Sequence, residues 1–233
     1  MLKVEGLSAG YGNIVAVREC SFSVGGGEVL VILGANGAGK TSTLMALMGL
    51  VTRMAGTIIM AGQDISDAPV EKRVRMGLSL VPEGRRVFPD LSVRENLMIG
   101  GHSVSRPVLS RGIGRVFGYF PRLGDRADQP AGSLSGGEQQ MLAMGRALVP
   151  EPTVLIVDEL SLGLMPKVVD KCYQVLHRLR SDGLTIILVE QDTERALAAA
   201  DRVCILEAGN LTWSGSAEEA RNRSTLAEGV LGV

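Results

Sequence analysis

A glycine-rich segment near the start of the chain has the composition of a phosphate-binding loop. Residues 34–41 read Gly-Ala-Asn-Gly-Ala-Gly-Lys-Thr and match the pattern GxxxxGK[ST]. Glycines let backbone N–H groups surround an anion, and the helix predicted to begin near Lys40 points its positive end at the same place. Lys40 would neutralise the β- and γ-phosphates of a nucleotide, and Thr41 would hold Mg²⁺. A purely structural strand-to-helix turn is the alternative, but the preceding apolar strand and following helix favour a nucleotide site.

An acidic pair supplies a second candidate for chemistry. Asp158 and Glu159 directly follow the apolar run 154–157, and ligands of open α/β sheets bind at the carboxyl ends of strands. We predict that Asp158 positions Mg²⁺ through its water shell, and that Glu159 orients and deprotonates an attacking water. Alone, such a pair is more often a loop boundary, but the phosphate loop upstream favours the catalytic interpretation.

The third candidate is the turn Ser135-Gly136-Gly137-Glu138. Its Ser-x-x-Glu spacing is a capping box, so the simplest interpretation is the start of a helix. Two glycines in a first turn nevertheless weaken a helix by up to about 1 kcal/mol each. Exposed N–H groups, a hydroxyl and a positive helix end suit a γ-phosphate. Because the chain already has a phosphate loop, we predict that Ser135, Gly136 and Gly137 bind the nucleotide of another subunit.

The elements that must position these segments alternate along the chain. Apolar runs and turn residues predict strands over 2–8, 14–24, 28–33, 78–82, 154–157, 185–189 and, as the last one, 202–206, with a hairpin over 56–65 turning near Gly62. Helices are predicted over 41–50, 92–98 and 136–148, the second opened by a capping box. Residues 102–115 carry no assignable pattern. The alternation predicts a parallel α/β sheet with a helical lobe inserted near 90–150.

Composition narrows the class of protein. The 233 residues are 45% hydrophobic with a formal net charge of -1, so a core can be buried and no global field attracts nucleic acid. The three cysteines lack metal or disulfide spacing and are interpreted as buried core residues. No apolar run approaches the roughly 20 residues that cross a bilayer, and the N-terminus does not resemble a signal peptide. The basic run Lys72, Arg73 and Arg75 is predicted to be a solvated face.

In this order, the three segments resemble the ATP-binding subunits of ABC transporters over essentially the whole chain. Walker A corresponds to 34–41, the signature to 134–140 and Walker B to 154–159. The resemblance implies an α/β P-loop NTPase (RecA-like) fold, in which a parallel sheet core carries an N-terminal antiparallel β subdomain and an inserted helical subdomain. One ABC ATPase domain would span 1–233, with 1–90 and 150–233 forming the core and 91–149 the helical signature subdomain.

The resemblance also assigns roles to individual residues, with ATP and Mg²⁺ as cofactors. The catalytic residues would be Glu159 and Gln191, and the metal-binding residues Thr41, Glu83 and Asp158. Tyr11, which precedes Gly12, matches an aromatic that stacks on adenine, although it could be an ordinary strand tyrosine. Nucleotide binding is implied for Tyr11, Gly34, Ala35, Asn36, Gly37, Ala38, Gly39, Lys40, Thr41, Ser42, Ser135, Gly136 and Gly137.

Segments 80–97, 161–164 and 188–191 are similar to the shorter ATPase subunit of branched-chain (hydrophobic) amino acid importers. Urea and short-chain amide importers share much of this pattern. The implied partners are a second ATPase subunit, sister or identical, in a head-to-tail dimer, two transmembrane permease subunits, and indirectly a periplasmic solute-binding protein. We expect a peripheral protein on the cytoplasmic side of the inner membrane that binds no nucleic acid. A DNA-repair or translation ATPase would need a coiled-coil insertion or a second fused unit.

Four positions depart from the wider superfamily: Glu83 replaces a glutamine, Gln191 a histidine, Met165 an aspartate and Leu160 a proline. Gln191 can hydrogen-bond a γ-phosphate but cannot carry a proton. Together with Leu160, it leaves open a regulatory subunit that hydrolyses ATP poorly. Arg85, Arg86 and Phe88 could line a groove for a cytoplasmic helix, or Phe88 could simply pack locally.

Overall fold

The computed structural model describes residues 1–222, which form one ten-stranded sheet with helices on both faces. The strands are β1 (Leu2–Tyr11), β2 (Ile14–Val24), β3 (Val29–Leu33), β4 (Thr52–Met60), β5 (Gln63–Asp64), β6 (Leu78–Val81), β7 (Val154–Asp158), β8 (Thr185–Val189), β9 (Arg202–Glu207) and β10 (Asn210–Ser216). The helices are α1 (Lys40–Met48), α2 (Val70–Arg75), α3 (Val93–Gly100), α4 (Arg106–Tyr119), α5 (Pro121–Asp125), α6 (Gly136–Leu148), α7 (Pro166–Ser181), α8 (Thr193–Ala199) and α9 (Ala217–Arg221).

The sheet has two halves, and its strand order is β5-β4-β1-β2-β10-β9-β3-β8-β7-β6. Strands β5, β4, β1 and β2 pair antiparallel, whereas β9, β3, β8, β7 and β6 pair parallel. The mixed sheet bears out the antiparallel subdomain and the parallel core that the sequence implied. All parallel strands run toward one edge, so the loops that leave β3, β7 and β8 meet there.

The parallel strands are buried on both faces, which explains their continuous apolar composition. Successive side chains of β3 enter two different cores: Val31 and Leu33 pack with the helical layer, whereas Leu30 and Ile32 pack with α1 and the antiparallel strands. The strand that precedes the phosphate loop is therefore packed on both faces.

Helices α3 to α6 form the layer that interrupts the strands, as predicted. Helix α4 occupies most of the unassigned segment 102–115. Its internal glycines disfavour a helix locally, but Gly112 allows contact with the chain at Val149, where a Cβ would lie 2.1 Å from the carbonyl oxygen. Val116, fully buried in the same core, anchors the helix. Tertiary packing here overrides local propensity.

Two expectations were wrong. The strand over 202–206 is not the last, because β10 follows it and pairs with it antiparallel. Arg73 is not part of a solvated face, since only 2% of its surface is exposed. Its guanidinium donates to the carbonyl oxygens of Ala46 and Leu47 at the end of α1, so the charge is satisfied by the orphan acceptors of a helix C-terminus.

The expectation for the cysteines is confirmed, because all three are buried and unpaired. Within residues 1–222, no helix combines the length and apolarity that crossing a bilayer requires. The division of the chain at 90 and 150 stays a prediction, and residues 223–233 of its last segment lie outside the described residues.

Candidate functional site

The carboxyl edge of the parallel strands borders a cavity of about 750 Å³. Its walls come from five places: the phosphate loop, the loop after β6, the segment after β7, the loop after β8, and the start of β2 with the β9–β10 turn. The predicted site residues that line it are Asn36, Gly37, Gly39, Lys40, Thr41, Ser42, Glu83, Glu159 and Gln191. Predicted site residues from distant parts of the chain therefore line one cavity, and two of them, Asn36 and Gln191, are 155 positions apart in sequence.

Close backbone contacts explain the glycines at both ends of the phosphate loop. A Cβ on Gly34 would lie 2.3 Å from the carbonyl oxygen of Leu206, and one on Gly39 would lie 2.7 Å from that of Ala16. Gly37 has a positive φ of 80° with no neighbour within reach of a Cβ, so only its backbone conformation favours glycine. The loop is therefore fitted between β2 and β9 before any ligand binds.

Lys40 is buried at the first position of α1. Its ammonium group donates to the carbonyl oxygens of Gly34 (2.8 Å) and Ala35 (3.1 Å). Burial lowers the pKa of Lys40, while the nearby carboxylates Glu159 and Asp158 oppose that shift. A nucleotide phosphate would add negative charge beside a lysine that is already oriented toward the loop.

Asp158 has the surroundings of a carboxylate that needs a cation. It is fully buried, its Oδ1 accepts from the Thr41 hydroxyl at 3.2 Å, and within residues 1–222 its Oδ2 has no hydrogen-bond partner. Burial raises the pKa of Asp158 to about 6, and the charges of Glu159 and Glu83 add to the shift. An unpartnered buried carboxylate oxygen is costly unless a ligand satisfies it.

The oxygen atoms of Thr41, Asp158 and Glu83 are the hard donors that Mg²⁺ prefers, and Mg²⁺ usually takes its remaining ligands from phosphates and water. Accordingly, the described part of the chain has no cluster of three or more His, Cys, Asp or Glu side chains that could hold a metal without a nucleotide. The donor set fits Mg²⁺ bound together with nucleotide phosphates.

Glu159 and Gln191 meet across the mouth of the cavity. The side-chain amide nitrogen of Gln191 donates both to Glu159 Oε1 (2.8 Å) and to Asn36 Oδ1 (3.2 Å). Glu159 has a positive φ of 48°, a conformation that persists in non-glycine residues only when the surroundings determine it. The following residue, Leu160, is fully buried in the core beneath the helical layer, so it packs where the superfamily usually has proline.

The turn at 135–137 lies apart from this cavity. Ser135 and Glu138 form the expected capping box, with Ser135 Oγ 2.8 Å from Glu138 Oε2. None of Ser135, Gly136 and Gly137 lines the cavity that holds the phosphate loop. A Cβ on Gly136 would lie 2.6 Å from the Arg85 guanidinium. That guanidinium is the end of a flexible side chain that can move aside, so the contact alone does not account for the glycine.

Tyr11 is 52% exposed at the end of β1 and is not among the residues that line the cavity. The wall next to β2 is formed instead by residues that motif reasoning missed, namely Ile14, Val15, Ala16, Arg18, Ala208 and Gly209. The Arg18 guanidinium donates to Ala208 O at 3.2 Å, and Gly209 N donates to Ala38 O at 3.0 Å. The turn residues Gly209 and Asn210 were a sequence signal for a turn here, but not for its place beside the phosphate loop.

The segment after Glu83 presents Phe88 at the surface, where 45% of the residue is exposed. Its backbone is fixed by the buried side chain of Asn96, which accepts from Phe88 N (2.9 Å) and donates to Phe88 O (3.0 Å). The guanidinium of Arg146 lies 5.2 Å from the centre of the ring, a cation–π contact. Phe88 is thus an exposed aromatic whose position is fixed.

Comparison with known proteins identifies the family in which these motifs occur. A family model described as ABC transporter matches residues 17–161. The chain is 39% identical over its full length to the high-affinity branched-chain amino acid transport ATP-binding protein BraG of Pseudomonas aeruginosa, which it also covers fully. It is 33% identical to the probable branched-chain amino acid transport ATP-binding protein LivF of Archaeoglobus fulgidus, covering 100% of the chain and 99% of the relative. A Nod factor export ATP-binding protein I of Ralstonia nicotianae is 36% identical, but the match covers 68% of that relative.

Solved structures give the same fold. An ATP-binding cassette of an ABC transporter in its ADP conformation superposes with a TM-score of 0.87 at 23% identity, covering 100% of this chain and 99% of the other. The ATP-binding subunit of another ABC transporter superposes with a TM-score of 0.85 at 26% identity, covering 100% and 96%. The predicted P-loop NTPase architecture is confirmed.

Proposed function

The chain belongs to the ABC transporter family of ATP-binding proteins, and from this premise we propose that it binds and hydrolyses MgATP to power the transport of branched-chain amino acids. The observation that carries the proposal is the convergence of Lys40, Thr41 and Glu159 on one cavity, with the buried Asp158 directly behind Thr41 and bonded to its hydroxyl. These are the residue types that phosphoryl transfer requires around a nucleotide.

Hydrolysis would proceed by in-line attack of water on the γ-phosphorus. Glu159 orients the water and accepts its proton as the new P–O bond forms and the bond to the ADP oxygen breaks. Gln191, which now donates to Glu159, can direct an N–H at the γ-phosphate. Mg²⁺ bound through Thr41, Asp158 and Glu83 would neutralise phosphate charge.

We propose further that a second ATPase subunit completes each site. A γ-phosphate bound at Lys40 would not meet the Ser135–Gly137 turn of the same chain, because that turn does not line the cavity. In a head-to-tail pair, the partner would provide its own equivalent of Ser135, Gly136 and Gly137 across the nucleotide. The partner is either an identical copy or a sister ATPase.

Two transmembrane permease subunits would receive the motion, with a periplasmic solute-binding protein delivering solute and the ATPase lying on the cytoplasmic side of the membrane. A surface suited to a permease helix consists of Phe88 and, on α3, Met98 and Ile99, all exposed apolar residues. Arg86, exposed two residues before Phe88, adds a positive charge beside it. Fixed aromatics flanked by arginine are typical of interface anchors.

The solute is proposed from the two relatives that match from end to end, both named for branched-chain amino acid transport. Disrupting the gene in its host should abolish high-affinity uptake of radiolabelled leucine, isoleucine or valine and spare uptake of labelled urea. Undiminished uptake of all three amino acids would contradict the proposed solute. Loss of urea uptake alone would instead indicate that the chain belongs to a urea importer.

The enzymatic part is tested with Glu159→Gln. This variant should bind ATP as wild type does, because Lys40 and Thr41 are untouched, but its turnover should fall by about 10²–10⁴-fold. ATP bound without hydrolysis should trap the dimer, visible as a shift in size-exclusion chromatography that ADP does not cause. Wild-type turnover in Glu159→Gln would remove this residue from the role of base.

A further inference from the structure

Glu190 is a buried carboxylate that the proposed chemistry does not use. Only 1% of its surface is exposed, and it stands between β8 and Gln191 at the edge of the site. Its Oε1 accepts from Ser161 N at 3.1 Å, and its Oε2 accepts from Ser161 Oγ at 2.7 Å and Gln191 N at 3.2 Å. A carboxylate buried at this depth is retained only with such partners.

Three consecutive residues, the last of β8 and the two that follow it, thereby contact three parts of the segment that begins at Glu159. The carbonyl oxygen of Val189 accepts from Glu159 N at 3.0 Å. Glu190 binds both the backbone and the hydroxyl of Ser161, and Gln191 donates to the Glu159 carboxylate at 2.8 Å. These hydrogen bonds connect the loops that follow β7 and β8.

We propose that Glu190 is a positioning residue that keeps Glu159 and Gln191 in register for water activation. Glu159 adopts a left-handed backbone conformation at φ 48°, which costs a non-glycine residue free energy and relaxes if its neighbours are released. Ser161 lies two residues beyond it, so fixing Ser161 limits that relaxation. This inference rests on the proposed role of Glu159 as base.

The geometry distinguishes Glu190 from a residue that binds nucleotide. Glu190 does not line the cavity of the phosphate loop, whereas both of the groups it positions, Glu159 and Gln191, do. The loss of its contacts should therefore alter the rate of the chemical step and leave ATP affinity unchanged.

The test compares Glu190→Gln with Glu194→Gln in the purified full chain. An amide cannot accept all three hydrogen bonds, because one oxygen becomes an NH₂ donor. We expect the kcat of Glu190→Gln to fall about tenfold or more, because small misplacements of catalytic groups cost that much. The KM for ATP, the Kd for a fluorescent ATP analogue and the thermal midpoint should stay close to wild type. Glu194, exposed on α8, offers the same chemical change without buried partners and should give wild-type kinetics.

Ser161→Ala provides an independent measure, since it removes the 2.7 Å bond to Glu190 and keeps the backbone one. The double variant Glu190→Gln/Ser161→Ala should be no slower than Glu190→Gln, as expected for groups that act through one contact. Wild-type kcat in Glu190→Gln overturns the proposal, as does a parallel loss of kcat, ATP affinity and thermal midpoint, which would indicate a structural role only.

Glu159→Gln measured in parallel separates the two proposals. Full turnover in that variant refutes the base and, with it, the positioning of the base. Loss of turnover there combined with full turnover in Glu190→Gln refutes only the role of Glu190.

Discussion

At the scale of single residues, Asp158 carries an electrostatic cost that a bound cation would offset. Its carboxyl is fully buried with one unpartnered oxygen, and burial raises its pKa from 3.8 to about 6. A folded pKa above the unfolded one means that the folded chain binds the proton more tightly. The resulting stabilisation is complete below about pH 4 and is lost as pH rises through about 6.

Asp158→Asn should therefore stabilise the chain when EDTA is present. At pH 7.5 the amide avoids burying a charge, and we expect the free energy of unfolding to rise by about 1–3 kcal/mol. The gain should shrink at pH 5, where the wild-type carboxyl is largely protonated, and should reverse when MgATP binds wild type more tightly. Thermal unfolding at both pH values measures this, and a gain that is independent of pH would contradict the assigned cause.

We propose that Gln191 acts on hydrolysis through orientation and not through proton transfer. Its amide nitrogen donates to Glu159 and Asn36, and an amide does not titrate near neutral pH. Gln191→Ala should slow turnover by about tenfold, less than the 10²–10⁴-fold expected for loss of a base. Steady-state phosphate release from Gln191→Ala and Glu159→Gln, measured side by side, gives the ranking. Equal losses would mean that Gln191 does more than orient.

At the scale of elements, helix α4 depends on one close contact. A Cβ added at Gly112 would lie 2.1 Å from the carbonyl oxygen of Val149. A Cβ added at Gly114 would have no neighbouring atom within 4 Å. Gly112→Ala should thus lower the free energy of unfolding by about 1–3 kcal/mol through overpacking. Gly114→Ala should raise it by about 0.5–1 kcal/mol through helix propensity. Urea unfolding of both variants provides the comparison, and two changes of the same sign would refute this account of α4.

The same helix shows where prediction from sequence stops. Strands β3, β7 and β8 were predictable because burial on both faces gives them continuous apolar composition, and α3 and α6 because capping boxes mark their first turns. Helix α4 was not, since its glycines are favoured by a contact with a distant segment. Strand β10 alternates half-buried with exposed positions, a weak signal for a strand.

The residues of the candidate site also divide into those that the sequence could place and those that it could not. Residues joined by a local motif, such as Lys40 and Thr41, could be placed from sequence because one loop holds them. The wall formed by Ala208 and Gly209 could not, since the pairing of β9 with β3 brings it to the phosphate loop from a distant part of the sequence. The buried guanidinium of Arg73 was missed for a related reason: two of its acceptors belong to a different helix.

At the scale of the whole molecule, two exposed apolar side chains lie beside the site where a second chain would approach. Leu162 and Met165, in the loop after β7, are 50% and 72% exposed. Leu162 lines both the nucleotide cavity and an adjoining one of about 490 Å³, which also includes Glu159 and Gln139 of the signature segment. Exposed apolar residues bordering a catalytic cavity favour closure by another protein over permanent contact with water.

A site shared between identical chains can be tested by complementation. Lys40→Ala removes the phosphate ligand of a chain's own site, and Ser135→Arg blocks the turn offered to its partner, so each variant alone should be inactive. Mixed in equal amounts, half of the dimers contain one intact site, built from Lys40 of one chain and Ser135 of the other. The mixture should then recover up to about a quarter of wild-type activity per chain, as follows from two-fold symmetry with random pairing.

Dilution gives a second measure of the same sharing. The specific activity of the wild-type protein should fall on dilution as dimers dissociate. Activity that is independent of concentration, together with no recovery in the mixture, would show that a single chain holds a complete site. Recovery only when a sister ATPase is added would identify the partner as non-identical.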